Sequence, residues 1–325
     1  MKKSKRKYLS DRPTPELFGT SCTESIFGED IAVSIVMQMF SQLLDDILFY
    51  REKYMADKED EDLHQLRVAL RRSVVLAGEC RLLFKGERLE KHRRALKKII
   101  TLSNVKRDMD VMIVKLQVEK NGDEIVQYRE AMDILESLLG EKLKREEEKT
   151  LLYLQSKVCN KVMMQWRNYI TETYKEDISI YGNCPVVPVS QYLIWQRFLK
   201  IKKEIRKLNS EQQIGEILHR LRISFKKLRY LLESFAYLYE KKVIGKLLKK
   251  SKKLQNILGD FHDAHQQTIL FKELFESLKD ENVRSFISEV LLSEIKAYQK
   301  KSLVSIRKRL KRFLKKEKMY RKNFT

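Results

Sequence analysis

Two stretches of the chain carry the same side-chain chemistry at the same spacing. His64, Arg67, Arg71 and Arg72 fall in the first, and His219, Arg222, Lys226 and Lys227 in the second, with bases three, seven and eight residues after each histidine. On a helix, positions 0, 3 and 7 lie within roughly 60° of one another, so each stretch places a histidine and two bases on one face. Arg offers phosphate oxygens a planar donor fork and Lys a mobile point charge. The histidine at the head of each face adds a donor whose protonated form is favoured beside phosphate, which predicts binding that tightens as pH falls through the histidine range.

Further residues obey the same register. His219 follows His64 by 155 residues, and that offset carries Arg94, Lys97 and Lys98 onto Lys249, Lys252 and Lys253. It also carries Arg107 onto His262, Asp108 onto Asp263 and Asn104 onto Gly259. Within each cluster the bases sit at i, i+3 and i+4, where like charges repel on an isolated helix. The same repulsion placed in both halves suggests a counter-anion. Asp108 and Asp263 are poor ligands for an anion and are expected to pair with a nearby Arg or Lys and orient it. Asn and Gly best tolerate the left-handed conformation that ends a helix, so the equivalent helices are expected to stop at Asn104 and Gly259. One offset holding without a gap indicates an internal duplication.

The elements that position these faces are helices. Only 4 Pro and 10 Gly interrupt 325 residues rich in Leu, Lys, Glu and Arg, a composition of long helices. Residues 1–24 read as a flexible basic lead-in. From Ser25 a helix carries the apolar stripe Ile31, Ile35, Met39, Leu43 and Ile47, recurring mainly every four residues. The first motif helix runs to about Phe84 and a third helix covers about 87–103. A fourth covers about 105–119, Asn121-Gly122 marks a turn, and a long helical region spans about 124–175 with a bend placed near Gly140. Gly182, Pro185 and Pro188 make 176–190 the linker. The second half, 191–318, repeats the plan: helices over about 191–209, 213–240, 243–258, 261–279 and 282–318, with a basic tail over 319–325. The expected fold is all-α: two antiparallel helical bundles related by a pseudo-two-fold.

With 67 Lys and Arg against 45 Asp and Glu, the formal net charge is +22, a field that attracts polyanions. Cys22, Cys80, Cys159 and Cys184 lack metal-ligand spacing, and no apolar run follows the basic N-terminus. The apolar run Ile31–Phe40 is too short to span a bilayer. These features are read as a reducing, cytoplasmic setting with no transmembrane segment and no cofactor. The last long helix, with Leu303, Ile306, Leu310 and Phe313 on one side, suits packing on a bundle or lying on a membrane surface.

The motif set resembles the CHAD (conserved histidine α-helical domain) family. The likeness lies in His64-x-x-Arg67-Val68-x-x-Arg71-Arg72, in His219-x-x-Arg222-x-x-x-Lys226-Lys227-Leu228-Arg229-Tyr230, and in Lys252-Lys253-Leu254-Gln255-x-x-Leu258-Gly259 with Asp263. Arg107-Asp108-x-Asp110-Val111 is the first-half counterpart, and the resemblance covers about 25–318. It implies two helical bundles around a basic groove or pore that binds inorganic polyphosphate. The family pattern places a base ten residues after the histidine; Arg229 fits it, whereas Val74 stands there in the first half, and Ser73 replaces the usual Leu.

Polyphosphate presents charge and acceptor oxygens but no base. Readers of single-stranded nucleic acid add aromatic platforms to a basic track, and Tyr230 is the one aromatic adjacent to these bases. The expected function is therefore non-catalytic polyphosphate binding through all of these bases together with His64, His219 and His262, with storage granules among the destinations. A basic nucleic-acid scaffold is the first rival, and adhesion to anionic lipid another. His262-Asp263 with His219 and His265 is similar to a metal-dependent phosphohydrolase motif. However, His262 falls opposite Arg107, His265 falls opposite Asp110, and no carboxylate group in the motifs is arranged to hold Mg²⁺. Chain-length preference and oligomeric state are left open.

Overall fold

The computed structural model describes residues 30–104, 106, 109, 113, 128–208 and 214–325. The expectations for the lead-in, most of the fourth helix, the Asn121-Gly122 turn, Arg107, Asp108 and Asp110 lie outside the described residues.

Among the described residues the secondary structure is helical, with isolated bridges as the only β-type pairing. In the first half these are α1 (Ala32–Asp57), α2 (Asp60–Glu79), α3 (Arg88–Leu102), α4 (Arg129–Gln155) and α5 (Lys157–Thr171). The second half holds α6 (Val186–Lys207), α7 (Ile214–Ser234), α8 (Lys241–Ser277), α9 (Glu281–Ser285), α10 (Leu292–Leu314) and α11 (Glu317–Phe324). A π-helical turn, Phe286–Leu291, joins α9 to α10. Local chemistry accounts for several boundaries. Lys58 takes a left-handed conformation (φ 57°) and ends α1. Asp60, Glu61 and Asp62 occupy the first turn of α2, where carboxylates offset the positive end of the helix dipole.

The repeat is visible in the backbone. Val186 lies 154 residues after Ala32, Ile214 lies 154 after Asp60, and Lys241 lies 153 after Arg88, so three successive helices restart in register. The entries to α1 and α6 pair reciprocally: Ala32 N–H donates to Cys184 O and Val186 N–H donates to Asp30 O, each at 2.9 Å. Each member of this exchange is the 154-residue equivalent of the other, as the expected duplication would place it. The halves also meet where α2 packs against α7.

One large core runs through both halves, from Ala32 to Phe324. A second cluster joins α4 (Met132, Leu135) to the C-terminal part of α8 (Phe271) and to Phe286 and Ile287 of the π-helical turn. By length and composition α1 could cross a membrane, with mean hydropathy 1.4. It is longer than the apolar run that stands out in the sequence. Phe40, Ile47 and Tyr54 on it are fully buried, and it packs on α2, α5 and α6, as a central core helix does.

Several boundaries depart from expectation. Gly140 lies inside α4, and the break falls at Ser156, whose hydroxyl caps α5 by accepting from Cys159 N–H at 3.1 Å. The 176–190 segment is packed rather than loose. Asp177 accepts from Gly86 N–H at 2.8 Å and from Tyr169 O–H at 3.0 Å, while Ser179 N–H donates to Leu83 O at 2.9 Å. Gly182 is required there, because a Cβ would meet Leu83 O at 2.8 Å. Gly259 does not end a helix; α8 runs through it to Ser277. Asn104 is helical, not left-handed. The basic tail is α11, which buries Tyr320 and Phe324. In α10, Ile306, Leu310 and Phe313 are buried in the core. Cys80 and Cys159 are free thiols, but Cys184 is disulfide-bonded, a departure from the fully reduced reading that spacing along the chain does not reveal.

Candidate functional site

The α2–α7 crossing is where the two motifs meet. Both helices bury one apolar side, with Leu63, Leu66 and Leu70 on α2 and Leu221, Phe225 and Leu228 on α7. The remaining faces of the two motifs converge, and Lys226 marks the meeting point. Burial pushes its ammonium down to about 7, and the positive charges of Arg71, Arg222, Arg67 and Lys227 push the same way. Arg71 and Lys226 are equivalent under the 155-residue offset, so the crossing brings equivalent positions of the two motifs together. Among the described residues no carboxylate pairs with Lys226. Each motif extends about 10 Å from this point back to its histidine, at 1.5 Å per residue.

Reciprocal ion pairs hold the crossing. Lys227 reaches Glu79 at 3.2 Å, and Arg72 reaches Glu233 at 3.4 Å. Arg197 of α6 also bonds Glu79 through Nε at 2.7 Å. Burial opposes ionisation of Glu79, but Arg197 and Lys227 outweigh it and hold the carboxyl below its ordinary range. Glu79, Glu233 and Arg197 are the residues that sequence reasoning missed; they lie outside the motifs, and no spacing rule links them.

The expected binding residues therefore divide by role. Arg67 is 4% exposed and donates to Ser103 Oγ at 2.7 Å and Asn104 Oδ1 at 2.8 Å. It braces the end of α3, and Asn104 serves as its acceptor rather than as a left-handed cap. Arg72 and Lys227 belong to the ion pairs between halves. Arg229 pairs with Glu233 at 3.1 Å, and Arg94 with Glu90 at 3.1 Å and Glu87 at 3.9 Å. Spacing identifies a shared face but not the carboxylates that come to meet it. Lys97 and Lys98 on α3, and Lys249, Lys252 and Lys253 on α8, are exposed. Their helices pack on α2 and α7, so they lie one helix away from the crossing. His64 and Arg71 are partly buried on α2.

At the far end of the second motif, His219 Nδ1 lies 3.3 Å from His262 Nδ1, with ring centroids 4.7 Å apart. Asp263 Oδ1 stands 4.0 Å from Arg222. Burial lowers the pKa of both histidines, helped at His219 by Arg222 and Arg220, and at His262 by Arg222 and His219, which takes His262 to about 4. A pocket of about 420 Å³ lies here, lined by His219, His262, His265, Phe261 and Gln266 among others. Among the described residues no three of His, Cys, Asp or Glu are placed to hold a metal ion. Tyr230 is 5% exposed, with Arg229 at 5.0 Å and Arg72 at 5.9 Å from its ring.

No curated protein matches the sequence significantly. The fold is similar to the crystal structure of the CHAD domain from the plant Ricinus communis, at 19% identity over 88% of this chain and 93% of that one, with a TM-score of 0.73. It is also similar to PptA from Streptomyces chartreusis, at 10% identity over 87% of this chain and 100% of that one, with a TM-score of 0.67. The CHAD domain family model matches residues 38–272, a span that contains both motifs and the α2–α7 crossing, and the chain belongs to that family.

Proposed function

We propose that this chain is a non-catalytic binder of inorganic polyphosphate, held in the groove at the α2–α7 crossing. The observation that carries the reading is Lys226, a desolvated ammonium surrounded by other cations and lacking a carboxylate among the described residues. A half-buried cation crowded by other cations is costly unless an anion completes it. Polyphosphate binding is a property of the family, and membership supports the same ligand here. The buried Tyr230 ring supports a polymer without bases, because a ring only 5% exposed offers no open face for stacking. The exposed lysines of α3 and α8 extend the basic track on either side, and the partners are polyphosphate chains, free or in granules.

Isothermal titration with long-chain polyphosphate tests this. Arg71→Ala and Lys226→Ala each weaken binding about 10- to 100-fold, the worth of one charge-assisted contact. Wild-type affinity in both variants would remove the groove as the site.

A further inference from the structure

The two motifs differ at their histidine ends. At the second-half end, His219 and His262 face each other in a pocket of about 420 Å³ that His265 also lines. Under the 155-residue offset the counterparts of His262 and His265 are Arg107 and Asp110, so this three-histidine set occurs once. Gly215 and Glu216, in the first turn of α7, also line the pocket, which sets the positive end of a helix dipole beside it.

The middle and the end of the groove differ in kind. Arg71, Arg222 and Lys226 are bases suited to internal phosphate units, each of which carries a single fixed charge. The His219–His262 pair offers two ring N–H donors to a ligand only after taking up a proton, since one shared proton otherwise links the two nitrogens. A phosphoryl group with a second ionisation near neutral pH matches that requirement. In a linear polyphosphate only the terminal unit has it. Glu216, the one carboxylate lining the pocket among the described residues, is already bonded to Arg220 at 3.3 Å.

We infer that the His219–His262–His265 pocket is an end site that receives the terminal phosphoryl group of a polyphosphate chain, so that the polymer enters the groove with one end fixed at the second half. The inference rests on the groove reading and adds an anchor and a direction to it. The phosphoryl oxygens accept from the two imidazole rings, Phe261 and Leu258 give the pocket apolar lining, and the chain leads away past Arg222 toward Lys226.

The test compares linear polyphosphate with free ends against the same polymer whose terminal phosphates are blocked as phosphoramidates, which removes the second ionisation. The wild-type protein binds the free-ended polymer ~10-fold more tightly, the value of one hydrogen bond to a charged group. His262→Gln and His219→Gln lose that preference, the free-ended polymer losing more affinity than the blocked one. Equal binding of the two polymers by the wild-type protein overturns the proposal without recourse to any variant, and so does an equal loss for both polymers in His262→Gln. Arg71→Ala weakens both polymers alike; if it weakens neither, the groove reading itself has failed.

Discussion

Lys226 shows how one side chain links charge, pH and stability. Its ammonium titrates at about 7, because burial and then Arg71, Arg222, Arg67 and Lys227 disfavour the charged form. An added polyanion favours that form, so binding takes up a proton. Affinity is then greatest below pH 7 and falls as pH rises toward the ordinary lysine range, by up to about tenfold per pH unit. The histidines act in the same direction at lower pH, since both are shifted downward. Titrations at several pH values check this, and a flat profile between pH 6 and 9 contradicts it. The sign for folding is the reverse. The unfolded chain binds more protons between about pH 7 and the ordinary lysine pKa, so stability of the ligand-free protein rises with pH across that window. Lys226→Met, which removes the desolvated charge, stabilises the ligand-free protein by about 1–2 kcal/mol while abolishing its share of binding. Thermal denaturation with and without polyphosphate separates the two effects.

At the scale of elements, the α2–α7 crossing does what neither helix does alone. Each motif helix has an apolar side that commits it to a bundle, and the reciprocal pairs Lys227–Glu79 and Arg72–Glu233 fix how the two faces meet. The apolar stripes, the breaks near Gly86 and the 155-residue repeat were legible in the sequence, because helical periodicity and offset are properties of the chain itself. Which bases remain available was not. Arg67, Arg72, Arg94, Lys227 and Arg229 match the motif as well as Lys226 does, yet each meets an acceptor whose position depends on tertiary packing. Gly259 shows the same limit. Its alignment with Asn104 indicated two equivalent helix ends, but α8 continues to Ser277, drawn on by Ala264 and Phe271, which pack in the second cluster. A Cβ at Gly259 meets nothing within 4 Å. Gly259→Ala therefore stabilises the protein by about 0.5–1 kcal/mol, read as a higher Tm; a lower Tm would mean that the residue needs glycine's backbone freedom.

On the scale of the molecule, a net charge of +22 makes attraction to any polyanion unavoidable. Under the proposed function, affinity is concentrated at the α2–α7 crossing instead of spread over the surface. For DNA ligands, about 6 to 10 phosphate contacts lose some 10³ to 10⁵ in affinity between 50 and 200 mM salt, and a steep dependence is expected here as well. Salt dependence alone does not distinguish a groove from a diffuse surface. The decisive measurement is competition between long-chain polyphosphate and duplex DNA at moderate salt. It is run on the wild-type protein, on Arg71→Ala with Lys226→Ala, and on the charge-matched Lys308→Ala with Lys311→Ala, which alters exposed lysines of α10. The groove account predicts that DNA displaces polyphosphate poorly, that the crossing variant loses most of its affinity, and that the α10 variant keeps it. Equal competition by DNA, with equal losses in the two variants, would contradict the account and favour a diffuse basic scaffold.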